Sequence, residues 1–423
     1  MTPMIGNICL FEDLNTPRLL PLVYFRPVYN LKCGMASLKD KIMRFFPRAV
    51  VALHCRSYLA DYMRVRYPGI RVNELVSADY LFVNGRLLID TAVAKAISRS
   101  SHDDCLFVCG DELVAAKISA RNLHRVKAQL DGLISLAGFG DLPKVEVVAN
   151  LIAYPWHLVE NNGSELAGDF QILTATRKKR TRKTPTGVHM LRPADILIED
   201  GAVVKPGCVL DAEGGPIRIA RGSTVMPNAT LVGPVHVGEG SVIRAGAEVS
   251  NTSIGPLCKI GGEVEATIFQ GYANKQHGGF LGHSYIGAWV NLGADTNNSD
   301  LKNNYGPVRV TIGTEQIDTG LQFVGLIMGD HSKSAINSMF NTGTVVGVSS
   351  NIFGNGFPPK YVPSFSWGAA GETFTTFNPD KAIDVARRVM LRRSIQLTAQ
   401  EEQLFRTIFG LTSAERRRQG MPQ

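Results

Sequence analysis

The sequence has no C-x-x-C pair, and its seven cysteines (9, 33, 55, 105, 109, 208 and 258) are an odd number scattered without a motif. That pattern suits reduced thiols better than a disulfide framework or a zinc knuckle. No run of eighteen apolar residues occurs, and the opening MTPMIGNICLFEDL has neither a basic n-region nor a long apolar core, so no membrane span and no secretion are expected. The reading is a cytoplasmic protein. Charged residues are scarce, 19% against 44% hydrophobic over 423 residues, which argues against disorder and for two or three folded units. The formal net charge of +8 suits an anionic partner. Nucleic acid and phosphorylated small molecules both meet that description, and charge does not choose between them.

What the sequence does contain is a repeat. An aliphatic residue recurs every sixth position at Ile219, Val225, Leu231, Val237, Ile243 and Val249. Three residues after each of the first five stand Gly222, Asn228, Pro234, Gly240 and Gly246, types that accept a turn. Each hexad is therefore one short strand and one corner, and three hexads close a triangular coil whose inward side chains stack into ladders. An antiparallel sandwich would use longer strands of period two. A parallel β-helix over 195–366 is predicted, with Leu197, Val203 and Val209 as its first coil and Ile254, Ile260, Ile286 and Leu292 continuing it.

Residues 1–176 have another texture. Short apolar runs (Ile8 to Phe11, Val50 to Leu53, Leu81 to Val83, Leu106 to Val108, Val145 to Val148) alternate with helical stretches at Leu38 to Phe46 and Ala115 to Leu130, an α/β pattern. RKKRTRK, Arg177 to Lys183, reads as a solvated basic linker within 177–194. In the C-terminal extension, 367–423, Ala382, Val385, Ala386 and Val389 mark an amphipathic helix or helix pair that packs on the β-helix.

The repeat is interrupted between Ala266 and Asn304, where polar residues crowd among Ile, Leu, Val and Trp, which points to a bound ligand. The stretch ANKQHGGFLGHSYIGAWVNLGADTNNSDLKNNYG, with GPIRIARGSTVMPNATLVGPVHVGEGSVIRAGAEV before it and VGLIMGDHSK, INSMFNTGTVVG and VPSFSWG after it, resembles the bifunctional UDP-N-acetylglucosamine pyrophosphorylase/glucosamine-1-phosphate acetyltransferase family, in particular its divergent sugar-nucleotidyltransferase-like branch. The resemblance implies a left-handed β-helix, a homotrimer with an acetyl-CoA site between neighbouring subunits, and an α/β nucleotidyltransferase-like domain in front. It implies sugar phosphate and acyl-CoA as partners, without nucleic acid or membrane. By position it makes His277 the general base, Lys275 the holder of the sugar phosphate, Phe280 the counterpart of a substrate-contacting tyrosine, and Asn291 the amide near the amino sugar, with Asn304 and Tyr305 as further substrate contacts. The chemistry is independently sensible, because a neutral amine must attack a thioester and an imidazole can take its proton. The chain departs from the family in the Lys275–His277 spacing, in Phe280 for tyrosine, and in NLGADTNNSD for a glycine-containing NIGAGT. His283, six residues after His277, is set against a zinc site in which histidines from stacked coils converge on one metal; the third ligand is not evident, His331 being the only nearby candidate.

In the N-terminal domain the glycine-rich phosphate loop is replaced by Glu12-Asp13-Leu14-Asn15. Arg18 remains as a nucleotide contact, as do Arg26 and Lys32, which stand within an R-P-V-x-x-L-x-x-G segment (26–34) like that of the divergent branch. Asn84 stands where a magnesium-holding aspartate is expected, and Asp111 is a loose substitute. Three readings follow. The chain N-acylates an amino-sugar phosphate with acetyl-CoA in the β-helix, beside an N-terminal domain of uncertain nucleotidyl transfer with Mg2+. Alternatively it is a sugar-1-phosphate nucleotidyltransferase on a structural β-helix, or a non-catalytic sugar-nucleotide-binding scaffold.

Overall fold

The computed structural model describes residues 5–101, 103–175, 185–370 and 374–421; the basic run Arg177 to Lys183 lies outside them. The N-terminal domain is built on a seven-stranded sheet in the order Lys144–Glu146, Cys105–Cys109, Glu112–Ile118, Tyr80–Asn84, Asn7–Phe11, Val50–Leu53, Arg71–Val72. Only Glu112–Ile118 runs antiparallel to its neighbours. The inner strands Asn7–Phe11, Tyr80–Asn84 and Cys105–Cys109 are buried nearly throughout because both faces are covered, the pattern of a parallel sheet in an α/β domain. Ile8 and Leu10 face one apolar cluster, and Cys9 and Phe11 the other.

The stretch expected as a helix from Ala115 to Leu130 is instead the end of the strand Glu112–Ile118, a turn, and the short helix His124–Lys127. Its alanines favour a helix in isolation, but Val114, Ala115 and Ala116 are fully buried between two neighbouring strands, and tertiary context overrides the propensity.

The 21-residue helix Pro155–Ala175 leads out of this domain. The β-helix then begins at His189–Leu191, which pairs with Val209–Asp211, earlier than the expected boundary at 195. Its three faces are plain from the strand pairings. Face one includes Glu248–Ser250 of the strand Glu248–Ile254, Glu263–Glu265, Phe280–Gly282 and Asn297–Asn298; face two includes Ile268–Phe269, Tyr285–Ile286 and Ile327–Met328; face three includes Val242–Ile243, Lys259–Ile260, Asn274–Lys275 and Lys333–Ser334. All six hexad residues from Ile219 to Val249 are fully buried. Corners sit in the left-handed region, at Gly222 (φ 69°) and Asn228 (φ 63°) among others, as the left-handed parallel β-helix requires.

The first coil differs from its expected phase by one residue. Val203 is 43% exposed while Val204 and Leu210 point inward. Because strand side chains alternate, a slip of one exchanges inside for outside.

A 28-residue insertion, 299–326, leaves between faces one and two and carries the hairpin Arg309–Ile312/Glu315–Asp318. Its Val308, Val310 and Ile312 join an apolar cluster with Leu19 and Trp156 of the N-terminal domain and Tyr285 of face two. The C-terminal helices Pro379–Leu391 and Ala399–Leu411 were expected to pack on the β-helix; Ala382, Ile383, Leu404 and Phe405 in fact join the core of the N-terminal domain as well. Ser253 Oγ of face two lies within hydrogen-bond distance of the Gly34 carbonyl (2.8 Å) and of Asn162 Oδ1 (2.7 Å), another tie between the halves. The three parts are thus one packed body.

Candidate functional site

His277 lies at the corner joining face three to face one, and its side chain is exposed. Two residues earlier, Lys275 occupies the inward ladder position that Val225, Ile243 and Ile260 hold in the coils below. The side chain is 1% exposed, and its ammonium donates to the carbonyls of Gly261 (3.0 Å), His277 (3.3 Å), Gly278 (3.2 Å) and Gly279 (2.5 Å). Burial holds its pKa down at about 8. Lys275 is therefore turned away from any surface substrate, contrary to its expected role as phosphate holder. What it does is clamp the backbone of the His277 loop.

The glycines that follow let the next coil close over this loop. A Cβ on Gly279, at φ 99°, would meet the Thr296 carbonyl oxygen at 2.4 Å, and one on Gly278 would meet Asp295 Oδ1 at 2.8 Å. Asp295, which replaces a family glycine, is exposed beside the residue after His277. The half-buried Phe280 is held by its N–H, which donates to Asn297 Oδ1 at 2.7 Å.

Asn291 stands on the outer side of face three, bridging Asn274 and Lys333. Its Oδ1 accepts from Asn274 Nδ2 at 3.4 Å, and Asn274 Oδ1 accepts from the Arg393 guanidinium at 2.8 Å. Arg244, Lys259, Arg392 and Arg393 share this surface. Burial and then the three arginines push the Lys259 ammonium pKa down, so the patch is strongly cationic. The sequence reading missed it; its signal was the Arg392-Arg393 pair directly after an amphipathic helix.

Asn304 and Tyr305 are exposed on the insertion, which leaves from the opposite edge of face one. One chain therefore does not bring them to His277. At the root of that insertion His283 Nδ1 and Asp300 Oδ2 are 2.8 Å apart, and the His283 ring stacks on Phe323 at 4.9 Å. His331, the candidate third zinc ligand, is buried against Phe25 and Phe405, and among the described residues no group of three His, Cys, Asp or Glu could hold a metal ion.

The nucleotide contacts expected in the N-terminal domain are dispersed. Arg18 is exposed, 5.8 Å from the centre of the Tyr154 ring. Arg26 is buried in a two-pronged pair with Asp330 of the β-helix. Lys32 faces a cavity between the parts. At the carboxyl end of the first strand, where a phosphate loop would stand, Glu12 accepts from Arg56 and from the Val28 N–H, and Asp13 accepts from Arg86, Asn84 and Asn15. Both carboxylates are thus engaged by guanidinium groups, and Asn84 is spent on Asp13 and the Leu113 carbonyl. These residues do not fit a magnesium ion, which takes carboxylate oxygens with few competing donors.

In class, the chain joins a sugar nucleotidyl transferase domain, matched over residues 8–178, to a bacterial transferase hexapeptide repeat, matched over residues 216–251. The particular proteins it is similar to are the bifunctional GlmU proteins, from which it is divergent. The Methanococcus maripaludis protein is 29% identical over 53% of this chain and 48% of its own length, and that of Picosynechococcus is 24% identical over 44% and 42%. The chain thus spans about half the length of the curated relatives it matches. A solved Arabidopsis UDP-N-acetylglucosamine acyltransferase aligns over 54% of this chain and 92% of its own at 14% identity, with a TM-score of 0.27. No described helix is long and apolar enough to cross a membrane.

Proposed function

We propose that the β-helix transfers the acetyl group of acetyl-CoA to the amine of a phosphorylated amino sugar, with His277 as general base. The observation that carries this reading is the His277 corner itself: an exposed imidazole on a loop whose carbonyls are clamped by Lys275 and which is overlaid by the coil bearing Asp295. In the reaction the amine nitrogen attacks the thioester carbonyl and its proton passes to His277. The tetrahedral intermediate collapses, the C–S bond breaks, and the protonated imidazole returns the proton to the departing thiolate, leaving an amide and free CoA. An ordered loop is what such a base needs, because misplacement by about 1 Å costs orders of magnitude in rate.

The phosphate of the sugar or of CoA is assigned to the cationic surface of Arg244, Lys259, Arg392 and Arg393, beside Asn274 and three residues from His277 along the chain. Asn304 and Tyr305 would reach the site from a neighbouring copy, because the insertion and His277 flank opposite edges of face one; a homotrimer meets that need. A protein located in the cytoplasm, where acetyl-CoA and sugar phosphates are both available, is part of the same reading.

Nucleotidyl transfer by the N-terminal domain is the second reading. The family match over residues 8–178 favours it, and the guanidinium-bound Glu12 and Asp13 oppose it. The test of the first reading is thiol release from acetyl-CoA with a panel of amino-sugar phosphates, run on the parent and on His277→Ala. Substrate-dependent release that vanishes in the variant supports acyl transfer. No release from folded protein with any substrate, together with pyrophosphate release from UTP and a sugar 1-phosphate, would transfer the assignment to the N-terminal domain.

A further inference from the structure

Across face one from His277, at the corner between faces one and two, stands a second histidine of a different make. His283 takes the corner position that Asn251 and Ala266 hold in the coils below. Its Nδ1 lies 2.8 Å from Asp300 Oδ2. An ionised carboxylate can only accept, so Nδ1 carries the hydrogen and Nε2 keeps its lone pair. Nε2 has no hydrogen bond among the described residues and is not enclosed; the histidine side chain is 24% exposed and that of Asp300 14%.

Both members of the pair are fixed in place. The His283 N–H donates to the Glu265 carbonyl at 3.1 Å and its carbonyl accepts the Gly325 N–H at 2.9 Å, while the Asp300 carbonyl accepts the Val324 N–H at 2.9 Å. The imidazole stacks on Phe323. Below the pair, a Cβ on Gly282 would collide with Asp300 Oδ2 and with the Phe280 ring, so glycine at this position lets the carboxylate reach the imidazole. An imidazole held in one tautomer by a carboxylate, with its other nitrogen open, has the geometry of a general base. The His277 ring has no such partner among the described residues.

The difference in base points to a difference in nucleophile. An amine attacks a thioester once it is neutral and can shed its proton afterwards, whereas a hydroxyl is a poor nucleophile until a base takes its proton during the attack. The surroundings differ as well. Glu248, Glu263 and Glu265 are exposed on the outer side of face one and have no ion pair among the described residues, so the approach to His283 is anionic and disfavours a phosphate.

We propose that His283 and Asp300 form a second catalytic centre, which acylates a hydroxyl group of an uncharged polyhydroxyl acceptor with acetyl-CoA as donor. The hydroxyl oxygen attacks the thioester carbonyl as its proton passes to His283 Nε2. The C–S bond then breaks and the proton returns to the departing thiolate, leaving an ester and free CoA. His283 is the base, and Asp300 is a positioning residue that acts through it. This centre is distinct from the His277 corner in its place, its base and its acceptor.

The test uses the full chain in the His277→Ala background, which removes the other base. Donors are acetyl-CoA and p-nitrophenyl acetate; acceptors are glucose, N-acetylglucosamine and glycerol. Products are treated with hydroxylamine, which cleaves acetyl esters and leaves amides intact. Expected is a hydroxylamine-labile product that falls about a hundredfold or more in His283→Gln. Asp300→Asn should lower kcat about tenfold or more with KM for the acceptor nearly unchanged, a split that a merely structural carboxylate would not give. No labile product with either donor, acetate release with no ester on any acceptor, or equal product from His283→Gln overturns the proposal. Should His283→Gln be cut between Lys302 and Pro307 faster than its parent, Asp300→Asn, whose amide oxygen still accepts a ring N–H, decides alone. Because p-nitrophenyl acetate needs no CoA site and the N-acylated product resists hydroxylamine, failure of this centre and failure of the His277 reading are read on different donors and different products.

Discussion

Arg26 of the N-terminal domain and Asp330 of the β-helix form a buried two-pronged ion pair, with Nη1 2.9 Å from Oδ1, and Asp330 Oδ1 also accepts the Ala288 N–H at 2.9 Å. The arginine side chain is 11% exposed and the aspartate 3%. An arginine expected to touch a nucleotide is instead the bolt between the two halves. Removing one partner of a buried pair strands the other charge, a loss of about 3 to 5 kcal/mol, whereas replacing both with apolar groups is far less harmful. Urea unfolding of Arg26→Met, Asp330→Leu and the double variant should therefore show each single change more damaging than the double. Additive losses would mean that the pair does not couple the halves.

Lys275 acts on His277 through the backbone, so its removal should resemble misplacement of a base and not loss of a phosphate contact. Lys275→Met is expected to lower kcat for acyl transfer while leaving KM for the amino-sugar phosphate nearly unchanged. A selective rise in KM would restore the phosphate-holding role. Stability gives a second readout. The folded amine titrates near 8 and the unfolded one near 10.5, so between those values the unfolded chain binds more protons and stability rises with pH. Lys333, also held at about 8 by burial, contributes likewise, and Lys275→Met should reduce the rise without abolishing it.

The two buried histidines work in the opposite range. His236 and His331 are held neutral, with pKa values well below 6.5, first by burial and then by cations: Arg218 and Lys32 around His236, Lys333 and Arg26 around His331. Unfolding lets both take up protons near pH 6.5. Stability contributed above that value is therefore lost as pH falls below it, by up to about 1.4 kcal/mol per pH unit for each histidine. Melting temperatures at pH 7.5 and 5.5 should fall more in the parent than in a His236→Gln, His331→Gln double variant. An equal fall in both would place the acid sensitivity elsewhere.

Much of the fold was legible because the hexad is local: one buried aliphatic and one corner per six residues leave a pattern that no distant contact alters. The phase failed only in the first coil, where Ile196, Leu197 and Ile198 and then Val203 and Val204 are consecutive apolar residues and alternation carries no information. Side-chain direction was the limit at the site. Lys275 reads as a polar residue in a polar loop, and only the ladder register reveals that it points inward. The Arg26–Asp330 pair joins residues 304 apart in sequence, and the cavity walls come from three separate segments; neither leaves a local signal.

His283 joins the two ends of the insertion. Its Nδ1 meets Asp300, one residue into the insertion, and its ring stacks on Phe323, three residues before the insertion ends, while Leu301 and Phe323 form an antiparallel bridge. The ring also sits at a strained corner, φ 45°, that histidine adopts only when its surroundings fix it. His283→Ala removes both contacts at once, and a hydrogen bond to a carboxylate is worth about 1.5 to 3 kcal/mol. Val308, Val310 and Ile312 remain packed on the N-terminal domain, so the hairpin should stay while the segment bearing Asn304 and Tyr305 loosens. Limited proteolysis should then cut between Lys302 and Pro307 faster than in the parent, and KM for the amino sugar should rise if that segment completes a neighbour's site. Unchanged cleavage would show that the bridge alone fixes the insertion; faster cleavage with an unchanged KM would remove Asn304 and Tyr305 from the substrate site and leave His277 to work within its own chain.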